Sequence, residues 1–253
     1  MEFKLEMIPP GSNILVVGRR GMGKTHLTCD LLTHRSNSVP VVFSSVYVAQ
    51  RYRSHLPASN VVDSFDATKL KSLLDRQLST GDDRELVIAF DDVSNGNECL
   101  MENSQVRELC MYGSSLNLTS VFAVQHAGVY DETFRRNVDY LFIFHDNLDD
   151  YQRVVYEKYA RTFGTFSKFQ AVYNECTTEP FRCLVIDMRT PWKGLGDGVY
   201  WYASPADLPR ATDTIEQIRW DTPAREEPPT VPEQESKRTK RGVLKKLTHL
   251  TSE

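Results

Sequence analysis

In the stretch GRRGMGKT, Gly18, Gly23, Lys24 and Thr25 have the spacing GxxxxGK[ST]. The chemistry of this spacing is phosphate binding. Glycines at 18, 21 and 23 let the backbone turn tightly, so that successive N–H groups point inward and form a nest of donors at the positive end of the helix that follows. Lys24 can then reach the β and γ phosphates of a nucleoside triphosphate, and the Thr25 hydroxyl can ligate Mg2+. The nucleotide-contacting set read from the loop is Gly18, Arg19, Arg20, Gly21, Met22, Gly23, Lys24, Thr25 and His26. ATP or GTP is the expected ligand.

A metal-bound triphosphate also needs an acid at the end of a nearby strand, and ELVIAFDDV supplies Asp91 directly after an apolar run. Asp91 is expected to hold Mg2+ together with Thr25. Asp92 follows at once, placed to orient or deprotonate an attacking water, which suits hydrolysis better than transfer to a small acceptor. A turn or helix cap is the competing use of Asp92. The segment TSVFAVQH reads as a buried strand ending at Gln125. If that strand lies beside the phosphate-loop strand, Gln125 faces the γ phosphate, where it can donate to phosphate and accept from water. His126 reads as structural.

These residues need a scaffold that presents strand ends side by side. Apolar runs of strand length recur at Ile14–Val17, Val41–Phe43, Leu86–Phe90, Val121–Val124, Leu141–Phe144 and Cys183–Ile186, with Val199–Tyr202 as a late edge strand. Helical patterns fall between them at Thr25–Thr33, Ala67–Leu78 (opened by Asp66 as a cap), Ser104–Tyr112 and Asp149–Ala160. Strands hydrophobic on both faces and alternating with helices indicate an α/β fold, a P-loop NTPase with a mainly parallel central sheet flanked by helices. The domain is expected over residues 1–210. From 211 to 253 the composition turns rich in proline and charge, which predicts a disordered tail. Its cluster Lys237, Arg238, Lys240, Arg241, Lys245 and Lys246 suits nucleic-acid binding, nuclear import or a solvated tail.

The chain has 253 residues, 40% of them hydrophobic and 25% charged, with a formal net charge of −4. That balance does not mark a wholesale nucleic-acid binder, and a weakly acidic total can hide a local basic surface, so net charge decides nothing about DNA. The five cysteines are odd in number, widely spaced and set mostly in apolar runs, as reduced core residues are. No basic leader and no run of about 18 apolar residues occurs, so neither a signal peptide nor a transmembrane segment is expected.

Taken in order, GRRGMGKT, LVIAFDD, the strand closing on Gln125 and FRRNVDYLFIF resemble the genome-packaging ATPases of large DNA viruses, the poxvirus-type branch of the FtsK/HerA superfamily. The likeness spans about Asn13 to Asp187. It implies an oligomeric ring that hydrolyses ATP at subunit interfaces and pumps double-stranded DNA into a capsid. It also implies capsid proteins as partners, no membrane, and a location in the host cytoplasm or nucleus and in the virion. Such a ring needs an arginine from a neighbouring subunit near the γ phosphate. Arg136 is the first candidate, with Arg135 and then Arg107. Two departures stand out: many relatives carry Glu where this chain has Asp92, and a basic residue where it reads Gly113-Ser114-Ser115.

A motor that moves along any sequence must grip DNA phosphates without reading bases. Arg51, Arg53 and His55 in AQRYRSHL, and Lys158, Arg161 and Lys168 in KYARTFGTFSKF, are candidates, although each stretch also describes an amphipathic helix with a solvated face. Two other functions share the loop and Asp91: a kinase for a nucleoside or small metabolite, and a non-catalytic ATP-dependent switch.

Overall fold

A computed structural model of the chain describes residues 1–35, 37–80, 84–93, 100–191, 197–210 and 215–220. Among the described residues eight strands form one sheet: β1 (Asn13–Val17), β2 (Ser38–Ser44), β3 (Val61–Val62), β4 (Glu85–Asp91), β5 (Leu118–Val124), β6 (Tyr140–Phe144), β7 (Arg182–Asp187) and β8 (Val199–Ala203). Their order across the sheet is β3-β2-β4-β5-β1-β6-β7-β8. Every pair from β3 to β6 is parallel, as strands joined by helical crossovers must be.

Seven α-helices accompany the described strands: α1 (Lys24–Thr33), α2 (Val46–Arg53), α3 (Ala67–Thr80), α4 (Ser104–Tyr112), α5 (Glu132–Arg136), α6 (Asp149–Tyr159) and α7 (Phe166–Thr177). Each parallel strand pointing into the next crossover is buried along its whole length or nearly so. Along β1, Leu15 and Val17 join one core while Ile14 and Val16 join the other, the period-two alternation of a sheet covered on both sides. Leu27, Leu31 and Leu32 of α1 and Ala49 and Tyr52 of α2 cover the second face. Helices α3 to α7 cover the first. Local capping agrees with the sequence: Asp66 Oδ1 accepts from the Thr68 and Lys69 amides, both at 3.0 Å, and opens α3 as expected.

The expectation of a mainly parallel sheet holds, with a reversal at one edge. Between β6 and β7 lie two consecutive helices, α6 and α7, which carry the chain down and back up, so β7 re-enters from the same end that β6 left. β7 therefore pairs antiparallel to β6, and β8 antiparallel to β7 at the sheet edge. The compact unit runs from Met1 to Asp221. It takes in residues 215–220, beyond the boundary at 210 that composition suggests: Ile218 is buried and its amide donates to Asn60 Oδ1 at 2.9 Å. The basic cluster of the tail lies outside the described residues. Among the described residues no helix is long and apolar enough to cross a membrane. Cys29, Cys110, Cys176 and Cys183 are buried free thiols; Cys99 lies outside the described residues.

Register fixes a column of rings inside the sheet. Phe43 stands opposite Phe90, and Phe90 opposite Phe122. Their rings stack at centroid distances of 5.5 and 5.0 Å. Phe90 thus locks β4 between two neighbours one residue before Asp91. Phe90→Ala is expected to lower unfolding free energy by about 3–5 kcal/mol, measured by denaturant titration. A loss below about 1 kcal/mol contradicts this packing role.

Candidate functional site

The carboxyl ends of β1, β2, β4, β5 and β6 lie at one edge of the sheet, where open α/β sheets bind ligands. The loop of residues 18–23 leaves β1 at that edge. Two glycines are required there by space and backbone angle. A Cβ on Gly18 would sit 2.8 Å from Phe144 Cβ, and Gly23 combines φ 109° with a Phe144 ring atom 3.2 Å from where its Cβ would be. The loop therefore rests directly on the end of β6. No side chain caps α1, which leaves its first-turn amides to an anion.

Lys24 is only 9% exposed, and its Nζ donates to Arg19 O at 3.0 Å, back across the loop. Burial pushes its pKa down, while the charges of Asp91 and then Asp92 oppose that shift. Thr25 Oγ1 donates to Asp91 Oδ2 at 2.7 Å, so the start of α1 is tied to the end of β4. β5 lies between β1 and β4. Lys24, Thr25 and Asp91 thus converge at one place. The hard oxygens of Thr25 and Asp91 fit Mg2+, which binds through one or two such groups together with substrate phosphates.

Asp92 is exposed and holds φ 56°, a region that a non-glycine residue enters at some cost. Ser45 Oγ donates to its Oδ2 at 3.0 Å, which turns the carboxylate toward the end of β2. Gln125 is exposed immediately after β5, and β5 pairs directly with β1; Gly18 N donates to Val124 O at 3.1 Å. The condition set for Gln125 by the sequence, a strand beside the phosphate-loop strand, is met.

Other loop residues serve the frame. Arg19 Nε lies 3.7 Å from the buried carboxylate of Asp146, just beyond β6. Met22 packs on the core that α1 covers. His26 Nε2 is 2.7 Å from Pro205 O, past the end of β8.

Arg136 does not join this site. It is 77% exposed and pairs with Glu132 at 2.5 Å, and its neighbour Asn137 offers its carbonyl to Asn13 Nδ2 at 2.9 Å. Asn13 opens β1, so Arg136 lies beside the amino end of the strand whose carboxyl end carries the phosphate loop. Arg135 donates to Tyr130 O at 2.6 Å, and Arg107 Nε to Met101 O at 2.5 Å. Of the basic stretches, Arg53 pairs with Asp63, and His55 Nδ1 lies 3.2 Å from Pro209 O. Lys158, Arg161 and Lys168 are exposed around α6 and α7. α2 and the α6–α7 pair cover opposite faces of the sheet, so the two stretches do not form one surface.

Tyr52 is the residue that sequence reasoning missed. Fully buried in α2, it donates its hydroxyl to Asp91 Oδ2 at 2.8 Å. No spacing signals it: in AQRYRSHL the charged neighbours dominate the reading, and only the fold turns Tyr52 inward beneath β4.

Burial raises the pKa of Asp91, partly offset by the hydrogen bonds from Thr25 and Tyr52 and by Lys24. A carboxyl whose folded pKa is raised binds more protons folded than unfolded between the two values, so stability falls as pH rises through that window. Asp91→Asn removes the buried charge. The variant is expected to melt above the wild type at pH 8 without nucleotide, and the difference to vanish as pH falls to the ordinary carboxylate range near 3.9, measured by thermal unfolding across pH. A variant that melts lower at pH 8 contradicts the account.

No family model matches the chain. Viral proteins resemble it in sequence, two of them as follows. The uncharacterized protein L437 of Acanthamoeba polyphaga mimivirus is 25% identical over 217 residues, covering 80% of this chain and 76% of that one. The uncharacterized protein 088R of Invertebrate iridescent virus 3 is 24% identical over 201 residues, covering 77% and 76%. Among solved structures, the genome packaging NTPase B204 of Sulfolobus turreted icosahedral virus 2 in complex with AMPPCP superposes with a TM-score of 0.56 at 12% identity, over 76% of this chain and 97% of that one. Its sulfate complex gives 0.57 at 12%, over 79% and 100%. The eight-stranded sheet, the loop on its edge and this superposition lead to one conclusion: the chain has the fold of a viral genome-packaging NTPase.

Proposed function

We propose that the chain is an ATPase whose hydrolysis drives double-stranded DNA into a viral capsid, working as a ring of identical subunits. The observation that carries this reading is the convergence of Lys24, Thr25 and Asp91 at the carboxyl edge of the sheet, with Thr25 Oγ1 2.7 Å from Asp91 Oδ2. The shared fold with a packaging NTPase and the viral relatives support the cargo.

In this reading the loop amides and Lys24 bind the triphosphate, and Lys24 exchanges its bond to Arg19 O for phosphate oxygens. Thr25 and Asp91 would hold Mg2+, which would supply charge neutralisation at the phosphates. Asp92, exposed beside Asp91, accepts the proton of the attacking water. Gln125, at the end of the strand next to β1, orients that water against the γ phosphate. Arg136, distant from its own loop, serves only a neighbouring subunit's nucleotide.

Phosphate release measured with and without duplex DNA tests the function. The wild type is expected to be stimulated by DNA, and Asp92→Asn to lower kcat by about 100- to 10,000-fold while ATP still binds. Transfer of the γ phosphate to a small acceptor supports a kinase instead, and unchanged turnover in Asp92→Asn removes Asp92 from catalysis. Mixing tests the ring. Arg136→Ala and Lys24→Ala are each expected to be inactive alone, the first by about 1,000-fold or more, and to regain activity together because each supplies what the other lacks. Mixtures that stay inactive contradict a trans role for Arg136.

A further inference from the structure

The turn leading into β7 sets an aromatic ring against the phosphate loop. Phe181 is 61% exposed, an unusual position for a phenyl side chain. Its backbone lies at φ 64°, where a residue with a Cβ is crowded. The neighbouring residue explains how that conformation is held: Arg182 lays its guanidinium over the Trp201 ring at 3.9 Å and pairs with Glu179 at 2.7 Å. The turn is anchored through Arg182, and Phe181 is left outside.

Its location is specific. Cys183 pairs with Phe144 across β6 and β7, which puts residue 181 at the sheet edge from which the loop leaves β1. A Cβ on Gly23 would lie 3.3 Å from Phe181 Cδ1, so the ring borders the last glycine before α1. The two sides of β1 differ in chemistry. On the β5 and β4 side stand Gln125, Asp91 and Asp92, the groups suited to the γ phosphate. On the β6 and β7 side stand Phe144 beneath the loop, Phe181 at its lip and Asp146, whose buried carboxylate lies against Arg19. A triphosphate with its γ end toward Asp91 must send its ribose and base toward the other side.

We propose that Phe181 is the platform on which the base of the bound nucleotide stacks. This rests on the triphosphate reading of the loop given above. An exposed ring held in a strained backbone, on the side of the loop away from Asp91, offers a π face to a planar base. Every base has such a face, so this contact strengthens nucleotide binding without choosing adenine over guanine.

Binding of Mg·ATP and of Mg·tripolyphosphate to the full chain separates the base from the phosphates. Phe181→Ala and Phe181→Gly are expected to weaken ATP by about 10-fold and leave tripolyphosphate unchanged, whereas Phe181→Trp retains ATP. Phe181→Gly also relieves the positive φ, so its melting temperature should equal or exceed that of the wild type, which a purely structural role for the ring would reverse. Unchanged ATP affinity in Phe181→Ala overturns the proposal, and so does equal weakening of ATP and tripolyphosphate. Lys24→Ala is the control and should weaken both ligands. If Lys24→Ala weakens neither, or the wild type binds neither, the triphosphate reading itself fails and takes the platform with it.

Discussion

The hydrogen bond from Thr25 Oγ1 to Asp91 Oδ2 joins the first turn of α1 to the end of β4 across the width of β5. It exists only because three parallel strands end level with one another. Asn13 through Val17 pair with Ser120 through Val124, and Leu86 through Asp91 with Leu118 through Ala123. A slip of one residue in either ladder would turn Asp91 or the loop to the other face and break the link. The stacked column of Phe43, Phe90 and Phe122 holds that register from inside the sheet, so the packing of aromatic rings and the meeting of charged groups are one constraint.

The site holds its charges at a cost in stability. Lys24 and Asp91 are both buried, and burial shifts each toward its neutral form. Asp92 and Phe181, on either side of the loop, both occupy positive φ. A fold that served stability alone would have glycine at such positions and an uncharged residue at 91. Desolvated charge and strained backbone are concentrated where a triphosphate and a divalent cation would offset them.

Much of this was legible in the sequence. The seven strands named from apolar runs are all present, because a strand buried on both faces leaves a run that no surface element imitates. The turn from β1 into α1 could be read because the glycines there answer to local geometry. β3, only two residues long, is too short to leave a pattern, and α5 is a five-residue helix. The reversal of β7 depends on counting two helices, α6 and α7, where the pattern showed one. Tyr52 and Phe181 owe their places to tertiary contacts that no spacing encodes. Arg136 shows the converse limit: its segment is recognisable, yet only the three-dimensional path of the chain reveals that it ends at the far side of the sheet from its own loop.

A crystal structure of the full chain with Mg2+ and a non-hydrolysable ATP analogue tests the central claim most directly. The account predicts the γ phosphate within hydrogen-bonding distance of Lys24 Nζ, and the ion between Thr25 Oγ1, the carboxylate of Asp91 and the phosphates. A nucleotide bound elsewhere, or one that leaves Lys24 on Arg19 O and the Thr25–Asp91 hydrogen bond intact, would contradict it.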